Sequence, residues 1–256
     1  MTPRQVPLDP TFLRPIAHRG LHDTALRRIE NTAPAFEAAI AAGYGIECDL
    51  RPASDGGPVV FHDENLHRLV KAGGPVARRT SAALRRLSYR NSQSTILTFG
   101  DLLDLTGEAV PLLVEVKSEW EPPNVVFLTT IAGLARYYRG PLALMSFDPA
   151  IIGALAGLAP DTPRGLVSGS YRPADADAWW PGRLTPARSA ELRDLNDMDK
   201  VGASFAAYEI AALPAPATVA LRARGLPLFT WTVRTQADRA RAEAHADAMI
   251  FEGFFP

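Results

Sequence analysis

The sequence predicts an α/β fold, a (β/α)8 TIM barrel, and three observations carry that expectation. Short apolar runs alternate with Ala- and Leu-rich stretches long enough for two or three helical turns. Eight such runs remain once one hairpin is set aside, and 256 residues is an ordinary length for one barrel. With 47% apolar residues the chain can fill a single large core, so 1–256 is expected to be one domain.

The first strand is read over residues 14–18 and ends on His18. A helix over 31–42 follows, with Thr32 at its cap and Gly43 as its stop. The second strand covers 45–50. The octet Arg51-Pro52-Ala53-Ser54-Asp55-Gly56-Gly57-Pro58 then separates it from an apolar run over 59–62. No helix fits there, and a parallel connection needs about a dozen residues or more, so the two runs are read as a hairpin. With Ala53 facing Pro58, Asp49 is expected opposite His62. Residues 63–95 form a short excursion above the barrel. Further strands are expected over 112–117, 142–147, 165–168, 203–208, 228–233 and 248–251, with helices over 99–106, 124–138, 149–158, 187–197, 217–224 and 236–245. The loop 169–186 carries Trp179-Trp180, read as cover for a helix in preference to a lid.

Composition excludes several classes. The formal net charge is -1, so no basic footprint for nucleic acid or an anionic membrane is present. The single cysteine, Cys48, permits no intrachain disulfide. Neither a signal-peptide pattern nor a run of about 18 apolar residues is visible, and a soluble, cytoplasmic chain without stable membrane association is expected.

Side chains alternate along a strand, so Glu47 and Asp49 share one side while Cys48 faces the helices. Glu115 and Lys117 repeat the i, i+2 spacing on the next barrel strand. One such acidic pair is equally compatible with a structural network of arginines. Three acids at strand C-termini, where barrel active sites lie, favour a hard divalent ion such as Mg²⁺ or Ca²⁺. His18 and His62 end the first strand and the hairpin, and together suggest an acid–base pair. Arg19 and Lys117 add positive charge at the same end, which suits an anionic and above all a phosphoryl substrate. Trp231 either lines the mouth or belongs to the core. His22, His67 and His245 are read as surface or loop residues.

These pieces, taken in order, resemble the glycerophosphodiester phosphodiesterase family, within the phosphatidylinositol-phospholipase-C-like phosphodiesterases. They are His18-Arg19-Gly20, Glu30-Asn31-Thr32 with Phe36 and Ala39, Glu47-x-Asp49, Asp55-Gly56 and Val59-Val60-x-His62-Asp63. Glu115-Val116-Lys117, Ser146-Phe147-Asp148 and Thr230-Trp231-Thr232-Val233 complete the set. The resemblance implies one divalent cation on Glu47, Asp49 and Glu115, with His18 and His62 as acid and base. It also implies Arg19 and Lys117 on the phosphoryl oxygens and Trp231 beside the glycerol or leaving group. The implied reaction splits a small glycerophosphodiester into glycerol 3-phosphate and an alcohol. Two readings stand beside it: lyase-type cleavage of a lipid diester to a cyclic phosphate, and a non-catalytic phosphoryl-ligand binder. Arg234 stands where the family usually has Asn, and Phe251-Glu252 where Thr-Asp is common.

Overall fold

The computed structural model describes residues 3–172 and 180–256; Trp179 lies outside them. From β1 (Ile16–Ala17) the chain runs through α1 (Ala33–Ala41) into β2 (Gly45–Pro52), and β3 (Pro58–Val60) folds back upon it. The excursion holds the short α2 (Ser81–Leu84), and α3 (Phe99–Thr106) leads into β4 (Leu112–Val116). Regular alternation follows: α4 (Val125–Tyr137), β5 (Leu142–Ser146), α5 (Pro149–Leu158), β6 (Arg164–Ser168) and α6 (Pro186–Arg193). The last elements are β7 (Phe205–Glu209), α7 (Pro216–Ala223), β8 (Leu228–Val233), α8 (Gln236–His245) and β9 (Ala248–Phe251). All neighbours around the ring β1-β2-β4-β5-β6-β7-β8-β9 pair in parallel, and β9 pairs back with β1. Eight parallel strands therefore close into a (β/α)8 barrel, as the sequence predicts.

Strand parity divides the core in two. Ile46, Cys48 and Leu50 of β2 join Leu112, Val114 and Val116 of β4 in the layer packed against the helices. The intervening positions point inward, where Ile16, Leu113, Ala143, Met145, Val167, Phe205, Ala207, Phe229 and Ile250 form a separate cluster with Phe12. Phe205 and Phe229 meet edge to face at 5.5 Å. A Cβ on Gly165 would fall 2.2 Å from the Phe205 ring, so glycine at this point makes room for the large side chain beside it. The apolar filling occupies the N-terminal and middle layers. One step further along each strand the inward positions become His18, Asp49, Glu115, Phe147, Glu209 and Trp231, and the interior turns polar.

The hairpin differs from its expected register by one residue. Leu50 faces Val60, Arg51 faces Val59 and Pro52 faces Pro58. The Ala53 N–H donates to the Gly57 carbonyl at 3.0 Å, which closes a three-residue loop with Gly56 at φ +76°. A tight loop with a left-handed glycine is favoured over the four-residue turn expected from spacing. Asp49 is consequently opposite Phe61, whose N–H donates to the Asp49 carbonyl at 3.0 Å. His62 is the next residue, already past the strand.

The excursion is more than a loop. Phe61, Leu66, Val70, Val76, Leu84, Tyr89 and Ile96 bury themselves together beside Ala53 and Val59. That small core ties the hairpin down and so fixes His62 at the rim. No helix among the described residues is long and apolar enough to cross a membrane.

Candidate active site

The polar layer lies in a cleft of about 810 Å³ at the C-terminal ends of the strands. Parallel pairing sets Asp49 level with Glu115. Oxygens of Glu47, Asp49 and Glu115 all lie within 4.8 Å of one another. Each of the three side chains is buried. Burial, and then the charges of Asp49 and Glu115, push the Glu47 carboxyl well above the ordinary carboxylate range. Asp49 moves the other way. Burial opposes its charge, but Lys117, His62 and Arg19 outweigh that and hold it well below the ordinary range.

Lys117 is the main compensating cation. Its Nζ lies 2.7 Å from Asp49 Oδ1 and 2.5 Å from Glu115 Oε1. Asn31 Nδ2 donates to Asp49 Oδ2 at 2.8 Å, and the Arg19 guanidinium stands 3.5 Å from the same oxygen. Among the described residues, Glu47 has only a backbone partner at hydrogen-bond distance, the Arg19 N–H at 2.9 Å. A buried carboxyl forced toward its neutral form, beside two more acids in an all-oxygen donor set, fits a Mg²⁺- or Ca²⁺-type ion.

The turn after β1 delivers that N–H. Arg19 and Gly20 both have positive φ, 56° and 77°. A Cβ on Gly20 would come within 2.9 Å of the Ala35 backbone and the Phe36 ring. Only glycine lets the chain turn this closely over the start of α1, and the turn aims the Arg19 N–H at Glu47.

His18 continues β1 and pairs with the end of β9. Its Nδ1 lies 2.5 Å from Glu252 Oε2, leaving Nε2 toward the cleft and 3.9 Å from Glu47. Burial is the main reason its pKa falls below the ordinary histidine value, with the Glu252 hydrogen bond opposing the fall. His62 also titrates below the ordinary value, through burial and then the charge of Lys117. Its Nδ1 is 2.9 Å from Asp63, and Arg51 Nε donates to its carbonyl at 2.6 Å. Asp63 and Glu30 both bind Arg68, and Arg19 donates to Glu30 at 2.7 Å. One hydrogen-bonded chain therefore links the two motif residues His62 and Arg19.

The expected set, His18, Arg19, Glu47, His62, Glu115, Lys117 and Trp231, lines this one cleft, with Asp49 directly beneath. Trp231 satisfies both readings made of it. Its ring packs edge to face on Phe147 at 5.4 Å, joins the interior cluster and still borders the cleft. Trp180, read from the sequence as cover for a helix, lines the cleft instead.

His22, read as a surface or loop residue, does lie in a loop but is half-buried with Nε2 3.3 Å from Glu252. Glu252, marked in the sequence only as a departure from the family pattern, meets His18, His22 and Arg234. Strand parity carried the signal for Glu252. Ile16 pairs with Ile250, so the inward residues two steps on are His18 and Glu252.

A closed parallel barrel with an acid- and histidine-lined C-terminal mouth defines a class of α/β-barrel proteins with a polar catalytic-type centre. The chain belongs to the Glycerophosphoryl diester phosphodiesterase family, whose sequence model matches residues 18–252. It is 30% identical over 200 residues to a Mycobacterium tuberculosis protein named "Probable glycerophosphodiester phosphodiesterase 1", covering 65% of this chain and 71% of that one. It is 31% identical over 122 residues to glycerophosphodiester phosphodiesterase 1 of Mus musculus, covering 47% of this chain and 34% of that one. Among solved structures, it is similar to an Oleispira antarctica phosphodiesterase in complex with its product sn-glycerol-3-phosphate. That likeness has a TM-score of 0.73 at 19% identity and covers 93% of this chain and 92% of that one. A glycerophosphodiester phosphodiesterase from Thermotoga maritima has a TM-score of 0.69 at 21% identity, with 93% of each chain covered.

Proposed function

We propose that this chain, acting as one domain, is a divalent-metal-dependent phosphodiesterase that hydrolyses small glycerophosphodiesters to glycerol 3-phosphate and an alcohol. The observation that carries the reading is the convergence of three buried carboxylates, two histidines and two cationic side chains on one cleft. Family membership and the product-bound relative support the substrate class.

Glu47, Asp49 and Glu115 would hold the cation. When bound, it supplies charge neutralisation at a phosphoryl oxygen and acidifies an oxygen nucleophile. Arg19 and Lys117 share the phosphate charge. Lys117 is free to do so once Asp49 and Glu115 have another cation to face.

His18 and His62 divide the proton transfers, one accepting the nucleophile's proton at its ring nitrogen and the other protonating the leaving alkoxide. Glu252 on Nδ1 fixes the tautomer of His18 and presents Nε2 to substrate, and Asp63 does the corresponding work for His62. Trp231 and Phe147 form an apolar wall that positions the diester and limits water.

The test is a panel of glycerophosphodiesters scored for glycerol 3-phosphate, with Mg²⁺, Ca²⁺ or chelator present. Release that depends on the ion supports the reading. A cyclic phosphate as the sole end product in phosphorus NMR would transfer it to the lyase class, and no cleavage of any diester would leave a phosphoryl-ligand binder.

A further inference from the structure

His22 and Arg234 take no part in that chemistry, yet both reach Glu252, and the way they do so builds a second donor set. Arg234 Nε engages Glu252 Oε1 at 2.6 Å, which leaves Oε2 to the two rings. His18 Nδ1 stands 2.5 Å from Oε2 and His22 Nε2 3.3 Å from it, and ligand atoms of all three residues lie within 4.8 Å of one another. A tetrahedral ion with bonds of about 2.0–2.1 Å separates its ligand atoms by roughly 3.3–3.4 Å, so small side-chain rotations are enough. The side chains are 13%, 22% and 19% exposed for His18, His22 and Glu252, so solvent reaches the site.

The chemistry differs from that of the acid cluster. Three carboxylates suit Mg²⁺ or Ca²⁺, whereas two imidazoles and one carboxylate suit Zn²⁺ and similar transition ions. Arg234 on the far oxygen is the kind of outer partner that orients a ligating carboxylate. We propose that His18, His22 and Glu252 form a separate Zn²⁺-type site, with water as fourth ligand, and that filling it switches His18 off.

The switch follows from the ring's two nitrogens. In the active tautomer the proton sits on Nδ1, hydrogen-bonded to Glu252, and Nε2 holds the lone pair facing the cleft. An ion on Nδ1 takes that nitrogen's lone pair. The displaced proton passes through solvent to Nε2, and the ring stays neutral. With His18 as the base of the pair, the ring then presents an N–H where a lone pair is needed. The switch, though not the site, rests on the catalytic role proposed for His18.

The test uses Co²⁺ as a spectroscopic stand-in for Zn²⁺, titrated into the full chain under saturating Mg²⁺, with His22→Ala and His22→Gln as variants. The wild type should develop the strong visible bands of four-coordinate Co²⁺. Both variants should weaken that binding at least about tenfold. In parallel, Zn²⁺ should inhibit Mg²⁺-supported turnover of the wild type at least about tenfold more effectively than that of the variants, whose turnover without Zn²⁺ matches wild type. Equal Co²⁺ affinity in wild type and variants, or bands lost in Glu115→Gln instead, overturns the site. Co²⁺ binding that depends on His22 without inhibition overturns the switch. If His22-dependent binding is found in a chain that cleaves no diester, the site stands and the phosphodiesterase reading fails.

Discussion

Lys117 Nζ lies 2.7 Å from Asp49 Oδ1, inside a cluster that holds two more carboxylates. Burial disfavours the ammonium charge, but Asp49 and Glu115 more than offset it and raise the lysine above its ordinary pKa. Lys117 thus holds the acid cluster together electrostatically.

Removing it should expose the conflict. Breaking a buried ion pair by deleting one partner costs about 3–5 kcal/mol, and Lys117→Met should lose stability on that scale in chelator. Mg²⁺ or Ca²⁺ should restore part of the loss, since a ligand at 100 times its Kd stabilises by about 2.7 kcal/mol. Urea unfolding with and without the ion measures both. A Lys117→Met protein that gains no stability from the added ion would show that the cluster takes no cation.

Glu47→Gln should behave in the opposite way. The wild-type carboxyl is already driven toward neutrality by burial and by Asp49 and Glu115. Its contact with the Arg19 N–H survives in an amide, whose carbonyl also accepts. Stability in chelator should therefore stay within about 1 kcal/mol of wild type, while the stabilisation by added Mg²⁺ or Ca²⁺ disappears. A Glu47→Gln protein that still gains the full ion-dependent increment would remove Glu47 from the cation site.

His18→Ala and His62→Ala should each lower turnover by about 10²–10⁴-fold, the usual worth of a positioned acid or base. Circular dichroism should remain that of wild type, because neither ring belongs to the apolar clusters. Near wild-type rates in either variant would sink its assignment.

The barrel and most of the cleft were legible because they depend on alternation. Period-two strands place Glu47 with Asp49 and Glu115 with Lys117 whatever the details of the loops. Two things resisted. The hairpin register turned on one backbone hydrogen bond, Ala53 to Gly57, and a one-residue choice of loop is not written in hydrophobic pattern. The contact of Glu252 with His18 was hidden because the two lie 234 residues apart. Only the closure of β9 on β1 brings them together, and His22, in an irregular loop, had no periodicity to give it away.

Asp63 gives the pH dependence. Burial works against its charge, but hydrogen bonds from His62 and Arg68 outweigh that and hold it far below the usual carboxylate range. A depressed folded-state pKa stabilises the fold above the unfolded value, about 3.9, and that contribution is lost as pH falls toward the folded value. The stability difference between wild type and Asp63→Asn should therefore shrink steadily below about pH 4. Urea titrations at a series of pH values read this directly. A difference that does not change with pH would mean Asp63 contributes nothing through its charge.

Gly20 and Gly43 separate backbone strain from steric fit. Both have positive φ, 77° and 74°, but a Cβ on Gly43 meets nothing within 4 Å while one on Gly20 meets Ala35 and Phe36 at 2.9 Å. Gly43→Ala should cost only the conformational penalty, about 1 kcal/mol, and leave turnover unchanged. Gly20→Ala adds a clash worth about 1–3 kcal/mol, and the strain falls on the turn that aims the Arg19 N–H at Glu47. It should therefore lose ion affinity and turnover as well as stability. Chemical denaturation with ion titration of the two variants checks the contrast. Equal losses in both would show that the close approach to α1 does not hold the site in place.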